Sequence, residues 1–562
     1  MRVAAVVLAC AFAAGCGGKA HPRAPKPPPV KPLPASAYAH YLRGRIAMRE
    51  GQFALASQRF RAAAASAPGE APIRVALIQA LRRAGHGGEA LRELNRALSD
   101  FPRDADVWIA AGNLYRGLRR RPAAVNAFER SVALAPDEER AYLGLAGALG
   151  AMGRTAEVEK TYRALLRHVP DSVTGHYRLA RIESARRDFR AALPHLRQAI
   201  ELDPDHIEAR VALARALRAT GDVNGAVDTL RQAFDRSGGD PDVGDQLFHQ
   251  LLDVGDRKGA VELLGLLDRD DLDAETRIAF GYLDLQIGEN QAALALANKL
   301  LANDPRSGDA RLLRAQALDA MGRGMDGLAP LLDLHPDETA YAQCRAFAAE
   351  LLARAGQNDR ALTMVTDGLA AQPTSIDLII SHALVFERRG DGAQARAVFE
   401  DALRDRPGNS DLIYAYGSLI DRLGDPVRAE AIIGEILARN PNDAGALNFI
   451  GYSLADRNAD LPRAQRMVER AVELSPGNGY VLDSLGWVQF RQGRLNEAFA
   501  TLRRAARLAP REPEILWHLA ELRLSRGQRQ KALALLEQAA ALRPEGRVRT
   551  HIDARLRALR SP

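Results

Sequence analysis

Four carboxylates within six positions could bind a hard cation. Calcium takes oxygen ligands, and the run formed by Asp268, Asp270, Asp271 and Asp273 would supply them. The run lacks the turn glycine and the ligand spacing of a calcium loop. The pattern therefore favours a solvated helix cap, in which carboxylates lie near the start of a helix.

No catalytic constellation accompanies these carboxylates. The sequence contains no glycine-rich phosphate loop, no His-Glu-x-x-His motif and no paired cysteines for a metal. Its 12 histidines are scattered, and the spacing of His176, His195 and His206 in consecutive predicted helices does not bring them together. We therefore predict no catalytic residues, no metal site, no cofactor and no enzymatic activity.

The three cysteines have different predicted roles. Cys344 falls in a predicted helix, where a buried small residue is favoured over a reactive nucleophile. Cys10 lies in an apolar run that follows Arg2 and is too short to span a membrane, as in a secretory leader. Cys16 directly follows the small residues at 13–15.

Small residues directly before a cysteine resemble the lipobox of bacterial lipoproteins. The resemblance implies a signal peptide over 1–15, cleavage before Cys16 and attachment of lipid to its sulfur. The alternative is a plain secretory signal followed by an incidental cysteine. In this class Gly17 implies the outer membrane, so we expect a lipid-anchored protein that faces the periplasm. Residues 16–36 hold the lipidated cysteine and a basic, proline-rich linker.

A ladder of prolines sets the period of the remaining chain. Proline ends a helix and marks the turn that follows, so prolines spaced 34 residues apart predict a repeated pair of helices. The ladder weakens after its fifth member and then resumes. Its members are Pro68, Pro102, Pro136, Pro170, Pro204, Pro305, Pro373, Pro407, Pro441, Pro476, Pro510 and Pro544.

Small and aromatic residues recur at fixed positions within one period. Gly112 and Ala124 would let two helices approach, and aromatic rings such as Phe128 would fill the gap. The defining set is Trp108, Gly112, Tyr115, Ala124, Phe128 and Pro136. This spacing resembles the tetratricopeptide repeat. The resemblance implies an all-α protein, an α-solenoid built as a right-handed superhelix of about fifteen helix–turn–helix repeats.

The regularity of the repeat divides the chain into blocks. We predict an N-terminal repeat block over 37–238, degenerate repeats over 239–340, a C-terminal repeat block over 341–544 and a basic capping helix over 545–562. The middle block could instead be a hinge or a specialised binding unit. Degenerate repeats are favoured because internal repeats of long arrays often drift.

The charge pattern argues against nucleic acid as a partner. The formal net charge is +7, with 77 basic and 70 acidic residues distributed along the array. Neither a concentrated basic patch nor an aromatic platform occurs. Acidic protein partners or anionic envelope polymers are compatible with this balance.

One C-terminal stretch is more specific than the general repeat. The segments 448–457 and 482–488, with Ala464 and 469–471 between them, resemble the C-terminal repeats of proteobacterial outer-membrane tetratricopeptide lipoproteins. At least one member of that group binds a periplasmic carboxy-terminal processing protease as its adaptor. The resemblance implies a protein partner in the cell envelope, such as a periplasmic protease or a peptidoglycan hydrolase.

In the family, certain positions of each first helix face a concave groove. Carried onto this chain, they give a candidate partner-binding set of aromatic, amide, carboxylate and guanidinium groups. Its members are Tyr414, Arg422, Asn448, Tyr452, Asp456, Asp483, Trp487, Arg491 and Trp517. The alternative is that Tyr452 and Trp487 pack against the neighbouring helix.

Three functions follow. The favoured one is a lipid-anchored periplasmic scaffold or adaptor that brings a protease or cell-wall hydrolase to its substrates. The second is an assembly factor for an envelope machine that exports polysaccharide or pili. The third, less favoured, is an enzyme or a glycan-binding protein.

Overall fold

The computed structural model describes residues 33–560. The predicted signal peptide 1–15, the lipidation site Cys16 and most of the linker 16–36 lie outside the described residues. Every regular element within 33–560 is a helix, and most of the helices contain 13 or 14 residues. The predicted all-α architecture and α-solenoid are therefore confirmed.

The described helices fall into two compact units, 33–179 and 180–560. In the first unit they are α1 (Ala35–Arg49), α2 (Phe53–Ser66), α3 (Ala71–Arg83), α4 (Gly87–Asp100), α5 (Ala105–Gly117), α6 (Arg121–Leu134), α7 (Glu139–Gly150) and α8 (Thr155–His168). The boundary between the units falls within α9 (Val173–Ala185).

The second unit continues the same alternation of first (odd-numbered) and second (even-numbered) helices. Its helices are α10 (Phe189–Leu202), α11 (Ile207–Ala219), α12 (Val223–Arg236), α13 (Pro241–Val254), α14 (Arg257–Leu267), α15 (Ala274–Ile287), α16 (Asn290–Asn303), α17 (Gly308–Ala320), α18 (Leu328–Leu332), α19 (Tyr341–Arg354), α20 (Asn358–Ala371), α21 (Ile376–Arg388), α22 (Gly392–Asp405), α23 (Ser410–Arg422), α24 (Pro426–Arg439), α25 (Ala444–Asp456), α26 (Leu461–Leu474), α27 (Gly479–Arg491), α28 (Leu495–Leu508), α29 (Pro513–Ser525), α30 (Arg529–Ala541) and α31 (Gly546–Arg560).

The turn at several ladder prolines is held by a side-chain hydrogen bond of one kind. The Trp108 indole donates a hydrogen bond to the Pro102 carbonyl at 3.0 Å, and the Tyr142 hydroxyl donates to the Pro136 carbonyl at 2.9 Å. Two prolines of the second unit are bound by arginines at the same position. The pairs there are Arg210 with Pro204 and Arg311 with Pro305. In these turns a donor six residues after the proline pairs with its carbonyl group, which lies just past the end of the preceding helix.

Close approach of the paired helices depends on glycine or alanine at the crossing. A Cβ built on Gly112 would lie 2.7 Å from the Phe128 ring, and one on Gly486 would lie 2.6 Å from Leu502. Phe128 is fully buried in this gap. The predicted roles of Gly112 and Phe128 are thereby confirmed.

The block predicted to be degenerate is helical and mostly regular. Helices α13 to α17 continue the alternation, but the partner of α17 is reduced to a 3-10 turn (Gly324–Gly327) and the five-residue α18. The period shifts here because this second helix is short. The assignment of degenerate repeats to 239–340 stays a prediction.

The carboxylates of the acidic run in this block cap a helix and form ion pairs, as expected of a solvated helix cap. Asp273 accepts a hydrogen bond from the Thr276 backbone N–H at the start of α15. Asp268 and Asp270 form ion pairs with Arg277 at 3.0 and 3.3 Å. These carboxylates therefore complete a turn and neutralise a buried arginine.

The second unit also closes on itself through α13 and α28. The Asp253 side chain, 4% exposed, binds Arg504 through both oxygens at 2.5 and 2.8 Å and Arg218 at 2.7 Å. Arg507 donates to the Asp253 carbonyl at the C-terminal end of α13. This contact thus joins two helices whose bonded residues are 251 positions apart in sequence.

No helix within 33–560 is long and apolar enough to cross a membrane.

Candidate functional site

The first helices of the second unit enclose an inner cavity of about 1280 Å³. Side chains from α17, α19, α21, α23, α25, α29 and α31 line it. Its apolar wall includes Leu312, Phe347, Ile380, Leu384, Val385, Phe449 and Val548. A volume above the usual range of small-molecule pockets, roughly 300–1,000 Å³, suits a polypeptide segment better than a small ligand.

The polar lining of this cavity is rich in carboxyl groups. The acidic members are Glu350, Asp377, Glu387, Asp421, Asp456, Glu514 and Glu545, and the basic members are Arg388, Arg422, Arg457 and Arg547. Some of these form direct pairs: Arg422 donates to both oxygens of Glu387 at 2.7 and 2.8 Å. Carboxyl groups nevertheless outnumber guanidinium groups.

Two of the lining carboxyl groups, Asp377 and Asp421, have no ion pair within 33–560. Burial raises the pKa of Asp377, and the nearby Asp411 charge raises it further. Burial likewise raises the pKa of Asp421, although Arg547 acts in the opposite direction. Glu350 shows the same effect of burial on its pKa, with its nearest cation, Arg354, at 3.7 Å. The cavity therefore holds two carboxyl groups, those of Asp377 and Asp421, that form no direct ion pair among the described residues.

The start of α31 closes one end of the cavity. Arg547 donates to Asp456 at 2.9 Å, and Glu545 binds Arg388 at 2.6 Å. Further along the helix, Ile552 is fully buried against the last helix pair. Within the predicted cap 545–562 the residues Gly546–Arg560 form a helix, and its first turn also enters the inner cavity.

Tyr452 lies between this cavity and the C-terminal aromatic cluster. Its hydroxyl donates to Glu514 at 2.6 Å, and its ring lies 5.9 Å from the His518 ring. Burial, reinforced by the Glu514 carboxylate, raises the pKa of Tyr452 well above its ordinary value. The phenol therefore acts as a neutral donor that orients a carboxylate facing the cavity.

The aromatic cluster surrounds a buried histidine. The His518 ring stacks 4.1 Å from Trp487 and lies 4.7 Å from Trp517. Its Nδ1 lies 2.8 Å from the Asp483 carboxylate, which is 5% exposed as a residue. Burial lowers the pKa of His518, but the charge and hydrogen bond of Asp483 more than offset this and raise it above its ordinary value.

The predicted partner-binding residues are divided by the structure into three groups. Arg422, Tyr452 and Asp456 line the inner cavity. Asp456, Trp487, Arg491 and Trp517 line a second, smaller cavity of about 610 Å³ beside α31.

The remaining predicted residues lie off both cavities. Asp483 is buried behind the smaller one, against His518. Tyr414 is exposed and packs edge-on against Phe449, and Asn448 is half-buried.

Two of the predicted groove aromatics are packing residues in this structure. Trp487 is 4% exposed and Trp517 is 6% exposed, and both stack on neighbouring rings. The expectation that Trp487 presents an open face to a groove is therefore corrected in favour of its alternative. The physical reason is that α29 packs against α27, which carries Trp487, and α31 packs against α29, which carries Trp517.

Several lining residues were missed by sequence reasoning. Asp377, Glu387 and Arg388 lie on α21, and Asp421 lies near the end of α23, all in regular repeats. Their position on first helices was the available signal. No sequence signal marked Arg547 as a lining residue, because a basic C-terminal segment is equally typical of a solvated cap.

Cys344 and the scattered histidines add no reactive centre. Cys344 is fully buried, and burial raises the pKa of its thiol to about 12, which makes it a poor nucleophile. Within 33–560 no three His, Cys, Asp or Glu side chains converge as metal ligands.

Comparison with known proteins identifies the repeat. One family model, described as a tetratricopeptide repeat, matches residues 47–114, 184–247, 388–449 and 489–551. A second model of the same description matches 109–173, 278–334 and 453–513. The matched segments together account for most of the chain between 47 and 551.

Individual relatives are distant. The chain is 26% identical over 196 residues to the TPR repeat-containing protein PA4667 of Pseudomonas aeruginosa, a match that covers 34% of this chain and 27% of that protein. Yeast Tom70 is 15% identical with a TM-score of 0.39, covering 81% of this chain and 95% of that one. A tetratricopeptide repeat protein from Parabacteroides merdae is 15% identical with a TM-score of 0.34, covering 45% and 99%.

The family assignment rests on the matched segments together with the helix pairs themselves. Repeats of this kind form scaffolds that bind other proteins. By its helix pairs, its spacing and the segments that match, the chain belongs to the tetratricopeptide-repeat proteins.

Proposed function

We propose that the protein is a lipid-anchored scaffold of the cell envelope, and that it binds a protein partner in the inner cavity of its second unit. The observation that carries the binding role is the cavity of about 1280 Å³ lined by first helices. It combines an apolar wall with unpaired carboxyl groups, so it can bury apolar side chains and pair polar ones. Such mixed surfaces are typical of protein interfaces.

The anchoring part of the proposal is supported by the leader sequence. Cys16 directly follows three small residues after an apolar run, as in bacterial lipoproteins. The proline-rich stretch that follows would separate the repeats from the membrane surface. We place the protein at the outer membrane, facing the periplasm, with a protease or peptidoglycan hydrolase as the partner.

Labelling with a radioactive fatty acid tests the anchor. The wild-type protein should incorporate the label and sediment with membranes, whereas Cys16→Ser should do neither. Because Cys10 leaves with the leader in this scheme, Cys10→Ser is the matched control and should label normally. Absence of label in the wild type would contradict the lipid anchor.

Purification from cross-linked, solubilised envelopes tests the partner. Mass spectrometry should find a soluble protease or wall hydrolase if the protein is an adaptor. An export complex in its place would favour the assembly-factor alternative.

A further inference from the structure

We propose that the inner cavity of the second unit selects a basic segment of a partner protein, one that carries arginine or lysine beside apolar side chains. The inference rests on the proposed protein-binding function and specifies the chemistry that the partner must present. It follows from three features of the cavity: its charge, its apolar wall and the arginine already seated in it.

The charge of the cavity calls for a cation. Its lining contains seven carboxyl-bearing side chains and four arginines, and Asp377 and Asp421 have no ion pair within 33–560. Asp377 is exposed and Asp421 is half-buried, so an entering side chain can reach both. A guanidinium or ammonium group forms a charge-assisted hydrogen bond with a carboxylate. A basic side chain entering the cavity would therefore supply the direct partner that these two carboxylates lack.

The wall next to these carboxyl groups is apolar. On α21, Asp377 is followed at helical spacing by Ile380 and Leu384, and all three line the cavity. Leu384 is 37% exposed, so it is accessible from within the coil. An occupant that only carried charge would leave this wall in water, whereas a peptide with apolar side chains would cover it.

One arginine of the chain itself already binds a carboxylate in the cavity. Arg547, at the start of α31, reaches Asp456 at 2.9 Å and closes one end of the space. The rest of the cavity holds unpaired carboxyl groups of the same kind. A partner's basic side chains would bind these in the way that Arg547 binds Asp456.

Fluorescence anisotropy with the purified full chain tests this inference. The probe is a short fluorescein-labelled peptide that repeats Arg-Leu-Ser, and the matched control peptide repeats Glu-Leu-Ser. The variants are the double change Asp377→Asn with Asp421→Asn and, as a control, Asp359→Asn on α20, whose side chain is 95% exposed. Neither cavity aspartate forms an ion pair, so the double variant should keep its fold, which its melting temperature would verify.

The arginine peptide should bind and the glutamate peptide should not. The double variant should weaken binding roughly tenfold, while Asp359→Asn should change nothing. Arg547→Gln frees Asp456 and should tighten binding several-fold. Equal binding of both peptides, or unchanged binding in the double variant, would overturn the inference.

A small polycation provides the remaining test. Spermidine carries amine charges but little apolar surface, so it should compete only weakly with the arginine peptide. Competition at equal concentration would show that the cavity recognises charge alone, and the peptide proposal would be wrong. If the envelope purification yields a partner while the arginine peptide fails to bind, the scaffold function survives and only the basic-segment inference fails.

Discussion

His518 and Asp483 form a buried ion pair in the second unit. The ring is fully buried, its Nδ1 lies 2.8 Å from the carboxylate, and Trp487 stacks on it at 4.1 Å. Glu514 and Asp456 add negative charge nearby and help to hold the pKa of His518 above its ordinary value, against the effect of burial. In the folded protein His518 therefore keeps its proton to a higher pH. In the unfolded chain the same histidine loses its proton near pH 6.5.

This pair should make stability depend on pH. A raised pKa in the folded state means that its stabilisation is complete below about pH 6.5 and is lost as pH rises through the folded pKa. Asp483→Asn leaves a buried histidine with no adjacent counter-ion, so it should cost on the order of 3 kcal/mol at pH 6. The substitution should also lower the pKa of His518. In the variant, the contribution of this site to the free energy of unfolding should therefore rise with pH, whereas in the wild type it falls with pH.

Melting temperatures measured from pH 6 to pH 9 would report this change of slope. His335→Gln, at a side chain that is 71% exposed, serves as the control. Parallel pH profiles for the wild type and Asp483→Asn would contradict the assignment of the proton to this pair.

Trp487 belongs to the core of the last repeats. Because only 4% of it is exposed, Trp487→Ala should destabilise the protein by about 3–5 kcal/mol. Tyr480→Ala, at a ring that is 57% exposed, should cost much less. Thermal denaturation of the two variants compares their stabilities directly. An unchanged melting temperature for Trp487→Ala would contradict the core assignment, and Trp487 would again be a candidate for the binding surface.

The crossing of α25 and α26 depends on the absence of a side chain at Gly451. A Cβ there would clash with Val468, whereas a Cβ on Gly434 in α24 would meet nothing within 4 Å. Gly451→Ala should therefore destabilise the protein by about 1–3 kcal/mol. Gly434→Ala should be neutral or stabilise it by up to about 1 kcal/mol, because glycine is a poor helix former. Denaturant unfolding would measure both, and equal effects would contradict the close-packing account.

At the scale of the helices, the sequence predicts local pairing well. The prolines and the small residues at each crossing act within one repeat, so their spacing locates the helix pairs. Even the block 239–340 follows this alternation, apart from the short α18. The closure of α13 onto α28 was not predictable, because Asp253 and Arg504 are 251 residues apart and neither lies in a distinctive motif. For the same reason the candidate site was predicted only in part.

The contact between α13 and α28 should stabilise the second unit beyond its neighbour-to-neighbour packing. Asp253→Asn replaces a nearly buried carboxylate that binds Arg504 and Arg218, so it should cost about 3–5 kcal/mol. Hydrogen exchange should accelerate in α13 and α28 and stay unchanged in α3 to α6. Asp228→Asn on α12, at an exposed position, is the control. Uniform acceleration, or none, would show that these helices do not depend on the bond.

At the scale of the whole molecule, the chain divides into two compact units with different features. The first unit is a regular array of glycine- and alanine-spaced helix pairs, in which each pair packs against the next. The second unit adds the α13–α28 contact and an inner cavity whose end is closed by α31. The proposed binding role rests on this inner cavity of the second unit.

The most direct test of the account is photo-cross-linking from inside the cavity in living cells. A photo-reactive amino acid at Leu384, which lines the cavity, should capture a discrete envelope protein. The same group at Leu266 on α14, at a side chain that is 62% exposed and outside the cavity lining, should not. Capture from Leu384 alone is the predicted result, and capture from Leu266 alone, or from neither position, would contradict the claim that the inner cavity holds the partner.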